Sequence, residues 1–277
     1  MHYNCETFKN YVEEFITVLS VERNLSQNTL KAYRYDLSSL NKWLASASCS
    51  SFDRDTLLAY FDMLQKEKRL KPRSLLRKYI SISQFCRYLN SFHYTEDPFV
   101  RFGSRKFQLP ETLPKVLTRS ELRSLLSVTE TEYNHLDSPF RKTICIRDAV
   151  ILELLYCLGL RISEIRNLNL EDYDPESQAL LIHGKGKKER FLCISSQEVI
   201  RKLEHCLSLR DSLSPKYNAI FINKFGNRLS IYTIENLFNK YKEKSMISTS
   251  ATPHSLRYTF ATHLWKKYPV PMTVLLK

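Results

Sequence analysis

Apolar residues recur at three- and four-residue intervals through most of the chain, and that spacing predicts helices. Phe8, Val12, Phe15, Ile16 and Leu19 form one stripe, and Ser26 stands as an N-cap before a second helix bearing Leu30, Tyr33, Leu37, Leu40 and Leu44. A third helix is expected over about 53–66, with Leu57, Leu58, Tyr60, Phe61 and Leu64 as its apolar positions. Pro72 suits the first turn of a fourth, where its missing N–H costs nothing. Leu75, Leu76, Tyr79, Ile80, Ile82, Phe85 and Leu89 would be buried there. Four amphipathic helices with short connections predict a small bundle.

The period then breaks. Residues 103–115 hold two prolines, few core residues and no helical repeat, and predict an extended linker between a domain at 1–102 and another at 116–277. Past it, Thr118 and Glu121 make a capping-box pattern before a short helix. The apolar run from Arg147 to Leu158 predicts a buried helix, ended by Gly159. Residues 179–183 and 190–194 flank Gly184-Lys185-Gly186-Lys187-Lys188 and predict a hairpin with a basic turn. Helices are expected at about 197–209, 231–244 and 253–267. The fold class is therefore mainly α with a small β-sheet, a helical bundle followed by an α+β domain.

Charge adds a partner. The 277 residues carry a formal net charge of +13, a field that suits a polyanion. No apolar run approaches the ~20 residues that span a bilayer, and the N-terminus lacks the pattern of a signal peptide. The seven cysteines are scattered singly, with no C-x-x-C pair, so neither a zinc ribbon nor a disulfide framework is expected. They read as core thiols in a reducing cytoplasm.

Three clusters carry candidate chemistry. Arg161 follows the glycine that ends a buried helix, where the backbone reopens to a cleft; taken alone, a surface ion pair with Glu164 or Asp172 is the favoured reading. Lys185, Lys187 and Lys188 crowd a hairpin tip, where one lysine could reach a phosphate or protonate a departing oxygen. An ordinary solvated turn is the plainer reading. Pro253 opens a helix that sets His254 and Arg257 one turn apart on one face, able to bind one phosphate by charge-assisted hydrogen bonds. His263 falls on another face and reads as structural.

In order, these clusters read Gly159-Leu160-Arg161-Ile162-Ser163-Glu164, Gly184-Lys185-Gly186-Lys187-Lys188-Glu189-Arg190 and His254-Ser255-Leu256-Arg257 through Leu264. They resemble the motifs of the tyrosine recombinase (phage integrase) family, above all its Xer-type members. Glu22-Arg23-Asn24-Leu25-Ser26-Gln27-Asn28-Thr29-Leu30 and Ser74-Leu75-Leu76-Arg77-Lys78 extend the resemblance to the N-terminal half. It implies a SAM-like core-binding domain and a catalytic domain that clamp double-stranded DNA at a specific recombination site, as a homo- or hetero-tetramer on DNA. It also implies cleavage through a 3′-phosphotyrosyl link with no metal or nucleotide cofactor.

By the same resemblance, Arg161 and Arg257 hold the phosphate, Lys185 is the general acid and His254 assists proton transfer, while Lys187 and Lys188 touch the DNA backbone. Glu164 and Asp148 are expected to be structural partners. Further DNA contacts are expected from Asn28, Thr29, Lys31 and Arg34 on the second helix and Arg73, Ser74, Arg77 and Lys78 on the fourth. The sequence departs from the family at its end: residues 270–277 approach the L-G-H motif and stop, so the second histidine and the nucleophilic tyrosine are expected to be missing. A DNA-binding regulator without cleavage activity is the alternative. A metal-dependent nuclease would need clustered carboxylates, which Glu171, Asp172 and Asp174 do not supply.

Overall fold

The computed structural model describes residues 3–23, 25–93, 115–184, 188–247 and 250–268. The chain divides into two compact units, Met1–Thr112 and Leu113–Lys277. Of the expected linker at 103–115, all but Lys115 lies outside the described residues, as do Lys185, Lys187 and the segment 270–277.

The first unit holds α1 (Cys5–Val21), α2 (Gln27–Ser46), α3 (Arg54–Lys66) and α4 (Pro72–His93). Each of the first three starts where a side chain accepts a bond from an otherwise orphaned N–H: Asn4 for α1, Ser26 for α2 and Asp53 for α3. The α1 stripe is buried from Phe8 to Leu19, and Phe8 packs edge-on to Phe52 and Phe85 with ring centroids 5.4 and 5.1 Å away. Ile80 departs from expectation: it is exposed, one position off the α4 stripe set by Leu75, Ile82, Phe85 and Leu89.

The second unit runs α5 (Arg119–Asn134), α6 (Pro139–Cys157), α7 (Ile162–Asn167), β1 (Tyr173–Asp174), β2 (Ala179–His183), β3 (Glu189–Cys193), α8 (Gln197–Leu209), α9 (Ile231–Lys244) and α10 (Pro253–Lys267). The expected Thr118–Glu121 capping box opens α5. Helix α6 is its central element, with Val150, Ile151, Leu152, Leu154 and Leu155 all buried. It begins at Pro139, two turns earlier than the apolar run suggests, because Phe140 and Arg141 on its first turn are exposed and break the apolar pattern. The three strands form an antiparallel sheet in the order β1-β2-β3, with Ala179 opposite Cys193 and His183 opposite Glu189. Gly184 N–H donates to the Lys188 carbonyl at 2.6 Å and closes the basic turn.

The expectation that the cysteines are core thiols needs adjusting. The cysteines are all unpaired, but only Cys86, Cys145 and Cys206 are buried, while Cys5 and Cys193 are exposed. Lone apolar-looking residues on a helix start or an edge strand need not face inward. No helix among the described residues is long and apolar enough to cross a membrane.

Candidate phosphate-binding site

Helix α6 ends at Gly159, whose φ of +58° is the left-handed conformation that lets the chain turn sharply. An added Cβ there would meet Phe260 of α10 at 2.5 Å, so the absence of a side chain also lets α10 close in. Two residues on, Arg161 is the extended N-cap of α7. Its backbone N–H donates to Glu164 Oε2 at 2.9 Å, and its Nη1 donates to Glu164 Oε1 at 3.0 Å. From β3, Arg190 Nη2 reaches Glu164 Oε2 at 3.0 Å. From α10, Arg257 Nη1 donates to the Gly159 carbonyl. The expectation that Glu164 holds an arginine matches this geometry, whereas Asp148 holds Arg147, at 2.6 Å, deep in the unit.

The electrostatics follow from burial and crowding. Burial of Glu164 would raise its pKa, but the bonds from Arg190 and from the Arg161 N–H outweigh it and hold the carboxyl below its ordinary range. Burial pushes the half-buried Arg257 guanidinium below its ordinary range, and the charges of Arg161 and Arg190 push the same way. Arginine stays cationic through such shifts. One carboxylate thus faces three guanidinium groups, leaving an excess of positive charge where Arg161 and Arg257 are half-exposed. A phosphodiester is the natural counter-charge.

His254 is exposed one turn before Arg257, and the Thr252 and Ser255 side chains cap the start of their helix. His263 instead meets the Tyr156 hydroxyl at 3.2 Å through Nδ1, and burial together with Arg119 and Lys266 keeps its pKa low. Lys185 and Lys187 lie outside the described residues; Lys188 is exposed beside the turn.

In the first unit, Asn28, Lys31 and Arg73 are exposed, and Thr29 and Ser74 are half-buried. Arg34 is exposed but engaged, donating to both oxygens of Glu13 at 3.0 and 2.8 Å. Arg77 is half-exposed and bonded to the fully buried Asp36 at 2.6 Å. Lys78 is corrected outright as a surface DNA contact. It is 5% exposed, with Nζ 3.2 Å from Asp36 Oδ1 in an ion pair too poorly aligned to count as a hydrogen bond. Its position on α4 turns it inward because Asp36 needs a counter-charge there.

Sequence reasoning gave no role to Arg190 or Asp36. Arg190 stood inside a quoted motif, but its β3 position alone does not say which carboxylate it meets. Nor did the sequence show that Glu130, Glu153 and Glu198 gather within 4.8 Å. That cluster is filled by the Lys202 ammonium at 2.8, 2.6 and 2.8 Å, so its charge is met from within the chain.

The Phage integrase family profile matches residues 115–274, and that of the phage integrase N-terminal SAM-like domain matches residues 12–91. The chain belongs to the phage integrase family. It is 33% identical over 261 residues to a tyrosine recombinase XerC of Oceanobacillus iheyensis, covering 92% of this chain and 82% of the relative. Similarity to a tyrosine recombinase of Agathobacter rectalis is 31% over 258 residues, covering 92% and 83%. Among solved structures, the XerH site-specific recombinase bound to difH substrate aligns with a TM-score of 0.73 at 18% identity, over 95% of this chain and 77% of that one. A lambda integrase dimer bound to a COC′ core site aligns at 0.68 and 16%, over 94% and 70%. These two share the integrase fold, a SAM-like helical unit followed by a catalytic-type unit with a small sheet.

Proposed function

We propose that this chain acts in site-specific recombination of double-stranded DNA, contributing DNA binding and the phosphate clamp to strand breaking and rejoining through a 3′-phosphotyrosyl link. The observation that carries the reading is that Arg257 bonds the Gly159 carbonyl, two residues before Arg161 on its Glu164 anchor, near enough for the Arg161 charge to act on it. Such a pair can bind both non-bridging oxygens and stabilise the charge that builds as phosphorus becomes five-coordinate. In that reaction a tyrosine oxygen, to which no residue of this sequence is assigned, forms the new bond to phosphorus as the bond to the 5′-oxygen breaks. Lys185 would give that oxygen its proton, and His254 would assist at the nucleophile. Rejoining reverses the step without an outside energy source.

Tyr258 is not assigned the nucleophile's part, since it adjoins Arg257 and points about 100° around the helix from it. The exposed cations Lys31, Arg73 and Lys188 would bind backbone phosphates away from the reacting one. Because solved integrases include a lambda integrase tetramer bound to a Holliday junction, we expect several copies to assemble on DNA.

Selection from a random-sequence duplex pool tests the reading. An enriched sequence should emerge, and Arg161→Ala and Arg257→Ala should each weaken binding to it by about tenfold or more. No enrichment, or alanine variants that bind unchanged, would overturn it. A nicked duplex of the enriched sequence then scores the covalent step: binding without an adduct is expected, and an adduct would show that a tyrosine of this sequence serves as the nucleophile.

A further inference from the structure

Glu164 is almost fully buried, and each of its oxygens is engaged. Among the described residues, the Arg161 guanidinium takes Oε1, whereas Oε2 is shared between the Arg161 N–H and Arg190 Nη2. A carboxylate that pivots about its last side-chain bond would carry the Arg161 guanidinium with it. The bond from Arg190 to Oε2, approaching from β3, adds to the Arg161 N–H a second restraint on that pivot. Arg190 is also built into the hairpin: its Nη1 lies 3.7 Å from where a Cβ on Gly184 would stand, at the root of the basic turn. The side chain is one-quarter exposed and its Nη2 is committed to Glu164, so it faces the carboxylate rather than solvent.

We propose that Arg190 is a positioning residue: held on the far oxygen of Glu164, it fixes the orientation in which Arg161 meets a phosphate and ties the root of the β2–β3 turn to that carboxylate. This rests on the proposed phosphate site and adds to it a residue that acts through another. A direct phosphate contact by Arg190 is the competing arrangement, and the two differ in how their losses combine. If Arg190 acts through Glu164, removing both costs no more than removing one; if it touches the anion, the losses add.

The test titrates inorganic phosphate into the full chain carrying isotope-labelled arginine and follows the Nε–H signals of Arg161 and Arg257. In the unaltered chain both signals should move. Arg190→Gln should weaken phosphate binding about tenfold and broaden or displace the Arg161 signal before any phosphate is added. Glu164→Gln should do the same, and the double variant should bind no more weakly than Glu164→Gln alone. Arg190→Lys keeps a charge and a donor and should recover part of the affinity. It also serves as the second variant should the glutamine chain fail to fold, its smaller loss again vanishing in the Glu164→Gln background. Unchanged affinity in the folded Arg190→Gln chain, or losses that add, would overturn the positioning role. If instead Arg161→Ala and Arg257→Ala leave phosphate binding unchanged, the phosphate site itself is wrong, a result readable without any Arg190 variant.

Discussion

Single residues set the geometry on which the chemistry depends. Gly159→Ala would place a methyl group 2.5 Å from the Phe260 ring on a backbone at φ +58°. We expect a loss of about 1–3 kcal/mol in denaturant unfolding, and weaker DNA binding, because α10 must move and takes Arg257 with it. His183 offers a second test. Its Nε2 meets Asp172 at 2.8 Å and its Nδ1 meets Glu189 at 3.0 Å, and the Asp172 bond chiefly raises its pKa above the ordinary 6.5. A raised folded-state pKa contributes stability fully present below 6.5 and lost as pH rises through the folded value. Melting temperature should therefore fall across that rise, and His183→Gln should flatten that part of the profile; an NMR titration locates the folded value. His254 and Arg257 were legible in the sequence because one helical turn fixes their relation. Arg190 and Lys78 were not, since local spacing says nothing about which buried carboxylate awaits a cation.

At the scale of elements, polar pairs join helices alongside the apolar stripes. Asp36 on α2 meets Arg77 and Lys78 on α4, and Lys202 on α8 joins Glu130 of α5 to Glu153 of α6. Asp36→Ala should cost about 3–5 kcal/mol in chemical unfolding, because it strands the Lys78 ammonium in the bundle. Asp36→Leu combined with Lys78→Met should lie much nearer the parent, and a double variant as unstable as the single would contradict that account. The long helices were readable from periodicity, and the hairpin from its glycine-bearing turn. Helix α7 and strand β1 were not, because six and two residues are too few to display a period. The start of α6 was hidden by its exposed first turn.

Across the whole molecule, net charge governs how the chain meets DNA. With a formal net charge of +13, affinity for a duplex should fall steeply as salt rises. Lys31→Glu and Arg73→Glu should each weaken binding and reduce the slope of log affinity against log salt by about 0.9 per phosphate contact removed. An unchanged slope would remove that residue from the interface. Arg77 is a poorer probe than its sequence position suggests, since reversing it would set a carboxylate against buried Asp36. The break in periodicity at 103–115 led to the expectation of two domains, and the chain divides into units between Thr112 and Leu113; the pairing of charges inside each unit had no such signal, since it joins residues distant in sequence.

The tight junction between Gly159 and Phe260 carries a genetic consequence. A lineage drifting at either position would displace Arg257 and weaken its hold on DNA while every arginine, lysine and histidine of the motifs stayed in place. Screens for null alleles should recover these uncharged positions, and counting preserved motif letters would mistake such a chain for a working one.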